Sequence, residues 1–350
     1  MSINHDDDEQ RYVEYFQKSL LTEGSENFVR AQAARLEGER KKLEGETLST
    51  INEKSYLDCY FSEKIFSPLI KTAIDICKRA GVAPDLAVHF ANSPGLEPTA
   101  AVLPSTIKHI IFAGHGTSIF CSYWAKIFSE VLAESAQFTL SNKKWDAGKF
   151  KDKILSTDII PKATSLALWY ASHNTLVGYG KLKQEEKFMT IRVLLLNAME
   201  IFIIGHEISH LSFHEAHPAT LGVAPGKTVK DLEIECDGIG LVVCTVYGID
   251  EKNTFATNFI GPLVALYSVQ LCENIKEIIT KKAAKESNSH PPTAQRIENV
   301  FSFVESLGLH KDILKIMTES FEAIKIVGEQ VELLTRLIRE EADTHSSENE

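Results

Sequence analysis

From Ile191 to Gly205 the chain is apolar at most positions and is interrupted only by Arg192, Asn197 and Glu200. A run of that length, apolar on most faces, predicts one helix buried over most of its surface. Upstream the pattern is more broken. Tyr12, Val13, Phe16, Leu20 and Leu21 form a stripe within residues 11–56, which predicts peripheral helix passing into a charged stretch at 35–46. Ser67, Pro68 and the apolar positions Leu69, Ile70, Ala73, Ile74 and Cys77 predict a helix capped by Ser67 and ended by Gly81. Residues 86–90 and 108–113 read as strands separated by a Pro- and Gly-bearing loop over 92–104.

The turn at 114–118 opens a helix over 119–135, lacking the lysine and the glycine spacing of a phosphate cradle. Residues 143–155 predict a charged surface helix, and 165–171 a short strand. That strand stands just before the long apolar helix, and it is either a sheet edge that could pair with extended peptide or an internal core strand. Residues 253–284 are mostly helical with Pro262 near the start; a loop over 285–292 precedes a helix carrying Ile297, Val300, Phe301 and Val304. A long amphipathic helix at 310–341 and a polar tail from Thr344, expected to be disordered, complete the chain. The expected fold is α+β and mainly helical, with a small upstream sheet and a helical C-terminal part. Its expected divisions are a helical arm at 1–56, a main domain at 57–309 and a terminal helix with its tail at 310–350.

Chemistry enters at the end of the apolar run, in Gly205-His206-Glu207-Ile208-Ser209-His210. Four residues apart on a helix, the two imidazoles share a face and can bind one Zn²⁺. Glu207 can hold a zinc-bound water and accept its proton as that water attacks a peptide carbonyl. Buried ionisable groups need a partner, and a metal supplies one. A third ligand is then required. His214 lies eight residues past His206, about 12 Å along a helix, too far to join the same ion. With Phe213 and Ala216 where a helix-breaking Gly and a third His would stand, His214 and His217 are surface residues or outer neighbours of the site. Glu233 and Asp237 are four apart, open onto an apolar stretch and share a helix face that Glu235 does not. This suits Glu233 as the third ligand and Asp237 as acceptor for the free N–H of a liganding imidazole.

Composition narrows the partners. A formal charge of −11 disfavours nucleic acid and anionic membrane surfaces. The six cysteines form no CxxC pair, and the acidic start MSINHDDDEQ lacks a signal-peptide layout, which together point to the cytoplasm. The longest apolar run is interrupted, so no membrane span is expected.

The blocks HEISH, EIECDGIGLVVCTVYGID and Ser289-His290-Pro-Pro-Thr-Ala-Gln-Arg296-Ile297, in that order, resemble the gluzincin peptidases related to the CAAX-prenyl protease and heat-shock protease X. The resemblance covers roughly residues 190–300 and implies a zincin-like core. It also implies metal ligation by Glu233, support from Asp237, and active-site roles for His290 and Arg296; read without it, His290 can be a cap of the helix that follows and Arg296 a structural residue. Many relatives carry membrane-spanning helices and a larger residue where Gly238 stands. A looser resemblance, through the HExxH alone, is to the phage-exclusion (Lit-like) peptidases, cytosolic proteins that cut a translation factor. The expected function is a zinc-dependent endopeptidase acting on a protein or peptide substrate. Its rivals are an inactive metal-binding protein and a helical interaction module with a structural metal. Glu207 argues against both, since a structural site has no use for a base.

Overall fold

The computed structural model describes residues 5–21, 25–31, 34, 57, 60–82, 88–97, 99–104, 109–142, 144–283, 287–308 and 311–347. The charged stretch at 35–46, Cys59 and the last three residues of the tail lie outside them. Helix α1 (His5–Ser19) and helix α2 (Tyr60–Arg79) precede three strands, β1 (Val88–Ser93), β2 (Ala100–Pro104) and β3 (His109–Gly114). Helices then follow: α3 (His115–Asn142), α4 (Ala147–Leu155), α5 (Ile159–His173), α6 (Met189–Ala216) and α7 (Val229–Asp250). A single turn at Thr254–Thr257 leads to α8 (Ile260–Thr280), α9 (Thr293–Ser306) and α10 (Lys311–Ser347). The protein is mainly helical with one small mixed sheet, as the pattern predicts.

The sheet order is β1-β3-β2, with β3 parallel to β1 and antiparallel to β2. Successive β3 residues face opposite sides: Ile111 and Ala113 enter the main helical core, while Ile110 and Phe112 form a second cluster with Ala91. Val13, Phe16 and Leu20 of the N-terminal stripe pack on that second cluster, and the Phe16 and Phe112 rings lie 4.6 Å apart. The stripe thus covers a sheet face.

Four expectations in the body of the chain are corrected, and a fifth at its end: α10 continues through Thr344 to Ser347, where a disordered tail is expected. Residues 165–171 are not a strand but part of α5, whose buried set is Ile159, Ile160, Ala163, Thr164, Leu166 and Ala167. That spacing has helical period, and seven residues were too narrow a window to show it. The expected loop over 92–104 contains β2, whose short run is masked by Pro94, Gly95 and Pro98. Helix α2 begins at Tyr60, with Pro68 inside it, because Phe66 is fully buried and packing extends the helix upstream of the proline. Its end is as expected: Gly81 has φ +67° and donates to the Lys78 carbonyl. Finally, α3 starts at His115 without an intervening turn. Gly114 and Gly116 serve close approach there, since a Cβ on either would strike the backbone of Ser93 or of Leu96 and Glu97.

Helix α6 runs through the core, packed by α2, α3, α7, α8 and β2. By length and composition it could cross a membrane, but half of its most apolar window is buried inside the protein. Two glycines fix its crossing with α7. A Cβ on Gly205 would lie 2.9 Å from the Val243 Cβ, and one on Gly240 would lie 3.0 Å from the Phe202 carbonyl oxygen. The helices therefore touch backbone to backbone beside His206.

Candidate metal centre

The close crossing brings the HExxH turn of α6 against the first turns of α7. Thr228 and Asp231 form a reciprocal capping box that fixes where α7 starts, at Val229, four residues before Glu233. The Nε2 atoms of His206 and His210 lie 3.2 Å apart, and each is 3.4 Å from a Glu233 carboxylate oxygen. These three residues form a group whose ligand atoms all lie within 4.8 Å of one another and could hold a metal ion. His214 and His217 are outside the group. Glu235 points away and is paired with Lys227.

Asp237, one turn past Glu233, accepts a hydrogen bond from His206 Nδ1 at 2.9 Å. Arg296, on the first turn of α9, grips the same carboxylate with Nε at 2.8 Å and Nη2 at 2.6 Å. His290 stands at the rim, with its side chain 56% exposed and Nε2 3.6 Å from Glu233 Oε2. Its backbone N–H is bound by Ser287 Oγ, while α9 begins only at Thr293, so His290 does not cap that helix. Gly238 has open space beyond its Cα, so the missing larger side chain there has no steric consequence.

The donor set fits a cation. His206 donates through Nδ1, which leaves a lone pair on Nε2 directed at His210 Nε2. Beside them the buried Glu233 Oε2 has no hydrogen-bond partner. Converging lone pairs and an orphaned carboxylate oxygen are stable together only around positive charge. In the metal-free protein a proton supplies it. Burial alone would lower the His206 pKa, but the hydrogen bond to Asp237 and the neighbouring Glu233 carboxylate outweigh burial and raise it to about 9. His210 is pushed down to about 4, by burial and then by the neighbouring His206 charge. For Asp237, burial acts upward, yet the bonds from Arg296 and His206 hold it down at about 2. Glu233 is likewise lowered against burial by the neighbouring His206 ring.

Glu207 projects beside the cluster into a cavity of about 370 Å³ and does not belong to the ligand group. Burial raises its pKa to about 7, the range in which a carboxylate accepts and returns protons near neutrality. The cavity is walled by Thr99 and by Ala100 at the start of β2, by Phe120, Phe202 and Ile203, and by Leu266. Sequence reasoning missed the β2 and α3 walls, which only the tertiary fold brings near α6. It also missed Glu200, buried on α6 with one oxygen unpartnered and kept protonated up to about 8 by burial.

What this chain is, by class, is a peptidase. Residues 160–316 match the model of the family described as Peptidase U49, a stretch that holds the three cluster residues, Glu207, Asp237, His290 and Arg296. The match begins in α5 and ends early in α10, so the sheet lies outside it. Of the two resemblances in the sequence, the looser one, to Lit-like peptidases, is the one matched. No curated protein and no solved structure matches the chain.

Proposed function

We propose that the chain is a zinc-dependent endopeptidase, with zinc held by His206, His210 and Glu233 and with Glu207 as the general base. The observation that carries the reading is the convergence of two imidazole Nε2 atoms on an unpartnered, buried glutamate oxygen. When bound, zinc would supply Lewis acidity that polarises a peptide carbonyl and acidifies a water. Glu207 takes the proton from that water and passes it to the leaving amine. Asp237, clamped by Arg296, holds the His206 ring so that Nε2 faces the centre. His290 stands at the cavity mouth, where its ring N–H can donate to the oxygen that gains charge as the carbonyl is attacked.

The ordered gluzincin blocks support this arrangement, since Glu233, Asp237 and Arg296 meet around His206 as that resemblance implies. An inactive or purely structural metal site is less well supported. Such a site closes its fourth position with Cys or His. Here the nearby thiol of Cys236 faces the Nδ1 side of His210, away from the cluster. The edge that would pair with an extended substrate moves from 165–171 to β2, which bonds only to β3 among the described strands. Buried free thiols at Cys77, Cys121, Cys236, Cys244 and Cys272 support a reducing, cytoplasmic setting.

Glu207→Gln tests the reading. The variant should keep its metal and fold and lose cleavage of an unfolded protein mixture, read by mass spectrometry, by several orders of magnitude. Cleavage at the parental rate would remove Glu207 as the base.

A further inference from the structure

We propose that Cys236 is a positioning residue for His210, fixing the tautomer in which Nε2 of that histidine offers its lone pair to the metal. The inference rests on the metal-site reading above. Cys236 Sγ lies 3.4 Å from His210 Nδ1, an ordinary distance for N–H···S contact. A neutral imidazole carries one N–H. Nε2 of His210 points into the cluster, 3.2 Å from His206 Nε2 and 3.4 Å from Glu233 Oε1, so a lone pair is wanted there and the proton belongs on Nδ1. That proton needs an acceptor on the far side of the ring, and the thiol sulfur is placed to accept it.

Position on the helix strengthens the argument. Cys236 is three residues after Glu233 and one before Asp237 on α7, so one turn of this helix provides the third ligand and the outer partner of each histidine. The two partners differ in charge. His206 leans on a carboxylate that Arg296 neutralises, whereas His210 leans on a buried, neutral thiol. A second carboxylate behind His210 would add a further negative charge beside Glu207, Glu233 and Asp237 with no second arginine to balance it. A thiol orients the ring without that cost.

The test uses the full chain with zinc as the probe, in competition with a chelator. Cys236→Val keeps the bulk and removes the acceptor, and should weaken zinc binding by about 10- to 100-fold. Cys236→Ser restores an acceptor and should recover affinity to within about threefold of the parent, while Cys272→Val, a buried thiol swap away from the centre, should leave it unchanged. In the metal-free protein, ¹⁵N–¹H correlation of the imidazoles, assigned with His210→Gln, should show His210 protonated on Nδ1, and that signature should be lost in Cys236→Val. Parental affinity in Cys236→Val, or equal losses in the Val and Ser variants, overturns the proposal. Should Cys236→Val not fold, the parental spectrum decides, and a proton on Nε2 overturns it. A parent that binds no zinc at all defeats the metal-site reading instead, while the spectrum still judges the Cys236 contact.

Discussion

Arg296→Ala removes the guanidinium that holds Asp237. The pair is bidentate at 2.6 and 2.8 Å, with side-chain exposures of 18% for Arg296 and 3% for Asp237. Burial by itself would push the Asp237 carboxyl up, yet Arg296 and then His206 bring it from 3.8 down to about 2. At about 1.4 kcal/mol per pKa unit, that depression alone corresponds to roughly 2–3 kcal/mol of net stabilisation. Without Arg296, burial is opposed by His206 only, so the loss should reach about 3–5 kcal/mol, as for other broken buried pairs. The sign follows from a lowered pKa: the stabilisation is present above about 4 and is lost as pH falls towards about 2. Urea denaturation of metal-free protein, followed by circular dichroism, should therefore show a gap of that size at pH 7 that narrows in acid. Arg296→Lys should recover only part of it, since an ammonium keeps the charge and loses the fork. A gap below about 1 kcal/mol at pH 7 would show that the pair does not stabilise the site in this way.

Three further outcomes follow from the same geometry. His290→Ala should lower turnover by about 10²- to 10³-fold, with melting shifted by no more than a surface substitution shifts it, because its ring is more than half exposed; parental turnover would take His290 out of the reaction. Zinc uptake should release about one proton at pH 7, since the metal-free protein carries a proton on His206 up to about 9, and calorimetry in two buffers reads that number. The raised value also stabilises the metal-free fold below about 6.5, and that contribution disappears as pH rises through about 9. Gly205→Ala should cost about 1–3 kcal/mol and weaken zinc binding together, because its Cβ would sit 2.9 Å from Val243 and force α6 and α7 apart; unchanged affinity would mean that the crossing does not set the site.

Much of the site is legible in the sequence because it is written at helical spacing. His206 and His210, and then Glu233 and Asp237, are i, i+4 pairs on helices marked by apolar surroundings, and each pair shares a face whatever the rest of the chain does. Arg296 and His290 are reachable only through family resemblance, since nothing local ties them to residues some sixty positions earlier. Cys236 is hidden differently: it lies in the same turn as the ligands, but its contact with His210 depends on the crossing at Gly205 and Gly240. Short elements are where the pattern misleads. Leu166, Leu168, Trp169 and Tyr170 have the composition of a strand, and only the wider set from Ile159 to Ala167 shows the helical period. Strand β2 is overridden on paper by its flanking prolines and glycine, and is made a strand by pairing with β3.

The central claim is that one zinc ion, held by His206, His210 and Glu233, is required for peptide hydrolysis. Titrating zinc into chelator-stripped protein, while hydrolysis of an unfolded protein mixture is followed, measures this directly. Hydrolysis should return in proportion to zinc and level off at about one equivalent per chain, and Glu233→Ala should show neither tight uptake nor recovery. Hydrolysis that survives stripping, or a Glu233→Ala variant that recovers along the parental curve, would contradict the account.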